Sequence, residues 1–299
     1  MSGSSGSNAA QLYSRALQCV LPLLPMIYKM NGGKEWPCVS KPTAFYCHAG
    51  PTRRAADKAL AHVLFTMTRG AACHIVLCRH GETSHNARGA LQGQLDTQLN
   101  DNGEQQAASL GAALCQRTFA LPLAHVAYTS DLERCSSTAR IALAALRKRF
   151  PLADGGEWQL KPEPRMRERL LGPFQDRTEG ENRSEFPDLW AAFCSDKPVE
   201  GVETTAEVRE RARAALREIA SRHLGETVLV FSHGGTIYGS ICALTAMHRV
   251  PHIGNVSMSE LRSGEGEWEL IEAANNSHLD QLKAVRHENQ SQLQASIGI

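Results

Sequence analysis

"IVLCRHGETSHN", residues 75–86, is the stretch of sequence that decides the fold. Its first four residues are apolar and include β-branched side chains, which is typical of a buried strand. Polar residues and a glycine follow at once, so Arg79 and His80 are expected to leave the end of that strand side by side. A cation next to an imidazole is electrostatically unfavourable unless an anion lies between them. The pair therefore indicates a site that binds an anionic group.

The composition of the 299-residue chain excludes some classes of protein. Its formal net charge is +1, which argues against nucleic-acid and membrane-surface proteins, because these bind through clustered Lys and Arg. The chain has no run of about 20 apolar residues, so no transmembrane segment is expected. Its nine cysteines form no C-x-x-C pair, which favours free thiols in a reducing compartment.

The chain divides near residue 70. Residues 1–70 are expected to be an N-terminal extension, either a targeting segment or a disordered one, because no acidic residue precedes Glu35. A cytoplasmic location is expected, or a mitochondrial one if residues 1–34 are a transit peptide. The rest is expected to form one folded domain, 71–279, and a polar C-terminal tail, 280–299.

Strands and helices are predicted to alternate within the folded domain. Strands are expected at 74–78, 124–130 and 227–232. Helices are expected within 99–119, 131–150, 205–225 and 234–247. Asp101 is expected to cap the first helix, with Glu104 completing a capping box, and "SGEGEW" is expected to form a hairpin turn. The alternation predicts an α/β fold with a mostly parallel sheet and helices on both faces.

Polar residues follow three of the predicted strands, where ligands bind in such sheets. The three strand ends supply Arg79 and His80, then Arg134, then His233 and Gly234. Guanidinium groups bind phosphate bidentately, and glycines let backbone N–H groups approach a ligand closely. This edge of the sheet is therefore expected to hold a phosphoryl group with an imidazole on either side.

Other chemistries lack their motifs. The chain contains no G-x-x-x-x-G-K-[ST], no G-x-S-x-G and no H-E-x-x-H. His74, Cys78 and His80 would share one face of a strand, but Cys78 would then be a core residue. Neither a metal site nor another cofactor is therefore expected.

"LCRHGETSHN", residues 77–86, resembles the L-x-R-H-G-x-T-x-x-N signature of the histidine phosphatase superfamily, also called the phosphoglycerate mutase-like family. Further matching motifs follow in the family's order between residues 91 and 279: "LQGQLDTQLNDNGEQQA", "YTSDLERCSSTA", "RERLLGPFQ", "EGVET", "VFSHGG" and "NNSHL". Within the family, the chain looks most like the branch of fructose-2,6-bisphosphatase and its apoptosis-regulator relatives. The resemblance makes 71–279 the catalytic domain.

The resemblance implies roles that the pattern leaves open. His80 would be the nucleophile that forms a phosphohistidine, with its second ring nitrogen held by a backbone carbonyl. Arg79, Arg134 and His233 would hold the phosphoryl oxygens. Glu168 would protonate the leaving oxygen and then deprotonate the attacking water. Six further positions match the phosphate pocket or lie near the substrate: Thr83, Asn86, Gln92, Gly93, Glu203 and Gly234. Thr83, Gln92, Gly93 and Glu203 fit turns and helix caps equally well.

The resemblance implies a phosphatase that acts on a small phosphorylated sugar or glycerate, with a fructose-2,6-bisphosphate-like compound as one option. Two alternatives stay open, a cofactor-dependent phosphoglycerate mutase and a catalytically inactive docking protein of the same fold. Only about 32 residues separate Glu168 from Gly201, whereas the mutases carry a longer basic segment there that excludes water. The short segment favours the phosphatase. Gln98 and Gln175 depart from the family pattern, and Gln175 is expected near the pocket mouth. The oligomeric state is left open.

Overall fold

A six-stranded mixed sheet forms the centre of the fold. The computed structural model describes residues 72–152, 156–245, 247–264 and 266–280. The strands are β1 (His74–Arg79), β2 (Leu123–Thr129), β3 (Gln159–Pro162), β4 (Thr227–Ser232), β5 (Met258–Arg262) and β6 (Glu269–Asn275). The predicted extension, 1–70, and residues 281–299 of the predicted tail lie outside the described residues, so both stay predictions.

Seven α-helices lie within the described residues. They are α1 (Ser84–Ala87), α2 (Asp101–Gln116), α3 (Glu133–Arg149), α4 (Glu179–Glu185), α5 (Pro187–Cys194), α6 (Thr205–Arg222) and α7 (Gly234–Leu244). Short 3-10 helices span Pro164–Met166, Gly172–Phe174 and Ser277–Leu279. None of the helices in this part of the chain is both long and apolar enough to cross a membrane.

The strands follow the order β3-β2-β4-β1-β5-β6 across the sheet. β2 pairs in parallel with β3 and β4, and β1 pairs in parallel with β4. β5 and β6 form an antiparallel hairpin at one edge, as expected for the two strands around "SGEGEW". The predicted α/β fold with a mostly parallel sheet is confirmed. The sequence did not predict β3, because its four residues are mostly exposed and show no apolar alternation.

Helices cover both faces of the sheet, as predicted. Val76 and Leu77 are neighbours on β1, and both are fully buried. Val76 belongs to a core cluster that includes Leu143 of α3, whereas Leu77 belongs to another that includes Leu216 of α6. Successive side chains of a strand point to opposite faces, so the two neighbours serve two separate cores. β1 is therefore buried on both sides, which is why its sequence is a continuous apolar run.

The prediction that Asp101 caps the first helix is wrong. The cap is Asn100, whose side-chain oxygen accepts a hydrogen bond from the N–H of Gly103 at 2.8 Å. The Asn100 amide also donates to the carboxylate of Glu82 at 2.9 Å. Asn100 therefore caps the helix and ties it to the loop after β1, a double contact that the exposed Asp101 does not make. The predicted capping box with Glu104 is wrong for the same reason.

Truncation of a buried leucine tests which layer stabilises the sheet. Leu143 on α3 is fully buried, whereas Leu189 on α5 is 43% exposed. Leu143→Ala should lower the free energy of unfolding by about 2–5 kcal/mol, because it removes buried methyl groups and leaves a cavity. Leu189→Ala is the matched control and should change it by less than about 1 kcal/mol. Urea unfolding of both variants measures the difference, and equal losses would contradict the assignment of the core to α3.

Candidate active site

The carboxyl ends of two adjacent strands bring two histidines together. Arg79, the last residue of β1, pairs in register with Ser232, the last residue of β4. The residue directly after each strand is a histidine. His80 and His233 therefore leave the sheet side by side, with ring centroids 5.1 Å apart. Parallel pairing of β1 with β4 therefore produces the predicted meeting of two imidazoles at one edge.

His80 has one ring nitrogen engaged and the other available. Its Nδ1 lies 2.7 Å from the carbonyl oxygen of Gly81. A carbonyl can only accept, so Nδ1 carries the proton and the neutral ring keeps a lone pair on Nε2. Burial lowers the pKa of His80 well below 6.5, and the nearby charges of Arg79 and Arg134 lower it further. His80 is therefore a neutral, oriented imidazole, only 3% exposed, at the pocket surface.

Close packing against α2 and α3 fixes the position of the backbone that follows His80. A Cβ atom added at Gly81 would lie 2.5 Å from the carbonyl oxygen of Gly103 on α2. The N–H of Gly81 donates to the hydroxyl of Thr138 on α3 at 2.9 Å. A side chain at Gly81 would force the loop away from α2, so glycine is needed here for close approach.

Two guanidinium groups lie buried next to His80. Arg134 is 1% exposed and donates to the carbonyl oxygens of Gly93 at 2.8 Å and Leu95 at 2.7 Å. Arg79 donates to the carbonyl oxygen of Ile253 at 2.5 Å. Burial lowers the pKa of both arginines, and carbonyl partners orient the groups without cancelling their charge. The Nε atom of each is buried with no hydrogen-bond partner among the described residues. The pocket is therefore suited to an anion.

His233 lies beneath this pocket rather than in its wall. It is fully buried, and its Nε2 lies 2.7 Å from the hydroxyl oxygen of Ser130. Its Nδ1 is buried with no partner among the described residues. Burial lowers the pKa of His233 well below 6.5, helped by the charge of Arg134. His233 is therefore neutral and packs against His80.

Glu168 reaches the pocket from the loop after the Pro164–Met166 turn. Its carboxylate accepts hydrogen bonds from the N–H of Gly235 at 3.0 Å and from the N–H of Arg169 at 2.8 Å. The hydroxyl of Thr236 lies 3.3 Å from the same carboxylate. A Cβ atom at Gly235 would lie 2.7 Å from a carboxylate oxygen, so only glycine admits Glu168 to the amino end of α7.

The pocket has a volume of about 270 Å³. Seven of the sequence-predicted site residues line it: Arg79, His80, Asn86, Gln92, Gly93, Arg134 and Glu168. Within the described residues, no group of three or more His, Cys, Asp or Glu side chains is arranged to hold a metal ion. A larger, mostly apolar cavity of about 570 Å³ lies around the first residue of β2, and none of the predicted site residues lines it.

Four predicted residues lie outside the pocket wall. His233 lies behind it, and Gly234 lies against the Arg79 guanidinium, with its neighbour Gly235 in the wall instead. Thr83 is buried and donates to the side-chain oxygen of Gln92 at 2.9 Å, so it supports a lining residue. Glu203 does not reach the pocket, because its carboxylate is bound by Arg211 at 2.6 Å.

Sequence reasoning missed two arginines. Arg169 lines the pocket and stacks over Phe193, with its guanidinium carbon 4.5 Å from the ring centroid. Its position next to Glu168 in "RERLLG" is a signal that could have found it. Arg211 lies on α6, seven residues beyond the "EGVET" motif and inside none of the quoted motifs, so nothing in its local sequence marked it.

Comparison with known proteins decides the family. Residues 75–276 match the model of the histidine phosphatase superfamily (branch 1). The chain belongs to this superfamily. The matched segment begins within β1 and ends after β6, so it takes in His80, Arg134, Glu168 and His233.

Two similar proteins come from Arabidopsis thaliana. Phosphoglycerate mutase-like protein 4 is 34% identical over 213 residues, which cover 69% of this chain and 87% of that protein. A metal-independent phosphoserine phosphatase is 30% identical over 216 residues, which cover 70% of this chain and 84% of that protein. The placement beside the fructose-2,6-bisphosphatase branch is not confirmed by these relatives.

Solved structures agree with the fold. Bacillus stearothermophilus YhfR has a TM-score of 0.59 at 27% identity, covering 69% of this chain and 99% of that chain. A mycobacterial glucosyl-3-phosphoglycerate phosphatase bound to VO3 has a TM-score of 0.55 at 26% identity, covering 68% of this chain and 99% of that chain. The superfamily and its phosphatase members confirm the prediction of a phosphoric monoester hydrolase at the level of enzyme class.

The buried histidines predict how stability depends on pH. Their pKa values are lowered in the folded protein, so the unfolded chain binds protons near and below pH 6.5 that the folded chain does not bind. The free energy of unfolding should therefore be highest above this pH. It should fall with decreasing pH by about 1.4 kcal/mol per pH unit for each such histidine.

His80→Asn should reduce the slope of the unfolding free energy against pH between about pH 6 and pH 5. The reduction should correspond to about one proton fewer taken up on unfolding, or about 1.4 kcal/mol per pH unit. Urea unfolding at a series of pH values measures the slope for the wild type and the variant. Equal slopes would show that the folded protein protonates His80 as readily as the unfolded chain does.

Proposed function

We propose that the protein hydrolyses small phosphate monoesters through a phosphohistidine on His80. The observation that carries the proposal is the hydrogen bond from His80 Nδ1 to the Gly81 carbonyl, 2.7 Å long. It directs the lone pair of Nε2 away from the backbone. Two buried guanidinium groups adjoin the same pocket, and they supply the charge that a phosphoryl dianion needs.

In the first step, Nε2 of His80 attacks phosphorus while the bond from phosphorus to the ester oxygen breaks. Arg79 and Arg134 bind the phosphoryl oxygens and stabilise the charge that develops on them. Glu168 gives its carboxyl proton to the departing oxygen, so the alcohol leaves neutral. The enzyme then holds a phosphohistidine and a Glu168 carboxylate.

In the second step, water attacks the phosphohistidine. The Glu168 carboxylate takes a proton from that water as the new oxygen–phosphorus bond forms and the nitrogen–phosphorus bond breaks. Inorganic phosphate leaves, and neutral His80 and protonated Glu168 are restored. His233 packs against the His80 ring and limits its rotation, with ring centroids 5.1 Å apart.

Hydrolysis is favoured over mutase activity by the segment after Glu168. This segment forms the short helices α4 and α5. Phe186 between them and Trp190 and Phe193 of α5 join a cluster around Phe174. The cluster flanks the pocket through Leu171 and adds no long basic segment that would exclude water. A phosphatase must admit water, whereas a mutase must keep it out.

The pocket supports small substrates. Its volume of about 270 Å³ is at the small end of ligand sites. The similar proteins include one named for phosphoserine and one named for glucosyl-3-phosphoglycerate. A small phosphorylated sugar, glycerate or amino acid is therefore the proposed substrate class. A panel of such esters, ranked by kcat/KM in the presence of EDTA, identifies the preferred member.

Replacement of the proposed acid should have an effect that depends on the leaving group. Glu168→Gln keeps the shape of the side chain but cannot transfer a proton. Phosphoenzyme formation from an alkyl phosphate should slow by about 10²–10⁴-fold, because an alkoxide needs protonation. An aryl phosphate with an acidic leaving group should lose much less. Rapid-quench measurement of phosphoenzyme formation with both esters gives the comparison.

Arg134→Ala provides the contrasting variant. Both esters develop the same phosphoryl charge, so this change should slow both to a similar degree. If Glu168→Gln instead slowed the two esters equally, Glu168 would not be the acid, and the proposed mechanism would be wrong at that step.

A further inference from the structure

The loop that carries Glu168 lacks regular secondary structure. Residues 167–171 lie between the 3-10 helices Pro164–Met166 and Gly172–Phe174 and themselves belong to no helix or strand. Backbone carbonyls in such a segment need partners from elsewhere, or the segment stays mobile. A general acid must nevertheless be held close to its productive position. The loop therefore needs an external support.

Arg211 of α6 supplies that support. Its guanidinium donates to the carbonyl oxygens of Arg165 and Arg167, both at 2.7 Å, and of Glu168 at 3.1 Å. The same group donates twice to the Glu203 carboxylate, at 2.6 and 2.9 Å. These five hydrogen bonds match the five N–H donors of a guanidinium. Arg211 therefore ties two carbonyls of the loop, and the Arg165 carbonyl just before it, to one helix.

Glu203 binds the same loop beyond Glu168, and Arg211 and Glu203 together are called the clamp. Its carboxylate accepts from the N–H of Leu170 at 3.0 Å, and its own N–H donates to the carbonyl of Leu170 at 2.9 Å. Burial works against ionisation of this acid, but hydrogen bonds from Arg211 and Leu170 lower its pKa overall. The pair is about four-fifths buried, with side-chain exposures of 18% for Arg211 and 20% for Glu203. The loop is therefore held on both sides of Glu168 by one ion pair.

We propose that Arg211, oriented by Glu203, is the positioning residue for the proton transfer by Glu168. The inference rests on the proposed function, because it assigns Arg211 to the acid of that reaction. Arg211 does not line the pocket, so it acts on the substrate only through the loop. The clamp sets where the Glu168 carboxylate meets the N–H of Gly235, and hence where its proton lies relative to the leaving oxygen.

A positioning role predicts a specific kinetic pattern. A displaced Glu168 cannot protonate an alkoxide, yet the phosphoryl site formed by Arg79, His80 and Arg134 stays in place. Loss of the clamp should therefore slow phosphoenzyme formation from an alkyl phosphate more than from an aryl phosphate. Loss of the acid itself should have the same pattern. A purely structural role would slow phosphoenzyme formation from alkyl and aryl esters alike.

The test compares two clamp variants with a matched control. Arg211→Lys keeps the positive charge but replaces a planar fork of five donors with a single ammonium. Glu203→Gln keeps the shape but removes the charge that orients Arg211. Arg213→Met is the control, because Arg213 lies on the same helix and pairs with Glu210 near the surface. Circular dichroism and thermal unfolding check that each variant folds.

Both clamp variants should slow phosphoenzyme formation from an alkyl phosphate by about 10²-fold, the scale of a misplaced catalytic group. Rapid-quench measurement should show phosphoenzyme formation from an aryl phosphate with an acidic leaving group slowed by less than about threefold in the same variants, and Arg213→Met should change neither rate. Equal losses for the two esters would overturn the inference, as would failure of both clamp variants to fold. A wild-type protein that hydrolyses no ester would instead overturn the proposed function.

A double variant tests whether the two residues act as one unit. In the Glu168→Gln background the acid is already lost, so Arg211→Lys should lower alkyl ester turnover by less than about threefold more. A further loss of about 10²-fold would show that Arg211 acts independently of Glu168, and the inference would be wrong.

Discussion

Two positive charges buried beside a neutral imidazole are the constraint on which the site depends. Arg134 is nearly fully buried, and Arg79 is largely buried. Their described hydrogen bonds reach backbone carbonyls and the hydroxyl of Thr97, which orient a guanidinium but leave its charge in place. Burying positive charge is costly, and Glu168 is the nearby acid that offsets part of that cost for both arginines. An anion in this pocket would offset more of it. Burial lowers the pKa of His80, and the same two charges lower it further. One arrangement therefore favours an anion and keeps available the ring nitrogen that we propose as the nucleophile.

The sheet creates this arrangement. Parallel pairing of β1 with β4 places His80 next to His233. Close approach of Gly81 to Gly103 on α2 then fixes the loop that leaves β1. Glu168, the proposed acid, comes from a different part of the chain, and the Arg211–Glu203 pair joins its loop to α6. The pocket around His80 therefore depends on strand register, whereas the loop of the proposed acid is bound by an ion pair.

This difference explains how much the sequence predicted. Arg79, His80 and His233 follow apolar runs, so their meeting could be predicted from strand pairing alone. Glu168 follows an irregular turn, and only the family resemblance identified it. Glu203 was expected near the substrate but contacts Arg211, because a motif does not show where a side chain points. Asp101 was predicted as the helix cap, but Asn100 caps the helix and also binds the Glu82 carboxylate. Asn100 and Glu82 are 18 residues apart in the chain, so the local sequence pattern does not show their contact.

Trapping of the phosphorylated residue tests the central claim most directly. The wild-type protein is mixed with a ³²P-labelled phosphate ester in EDTA, quenched in base within milliseconds, and digested to locate the label. The account predicts label that is stable in base and labile in acid, on the peptide that contains His80, and no label in His80→Ala. Label on another residue, or hydrolysis by His80→Ala at the wild-type rate, would contradict it.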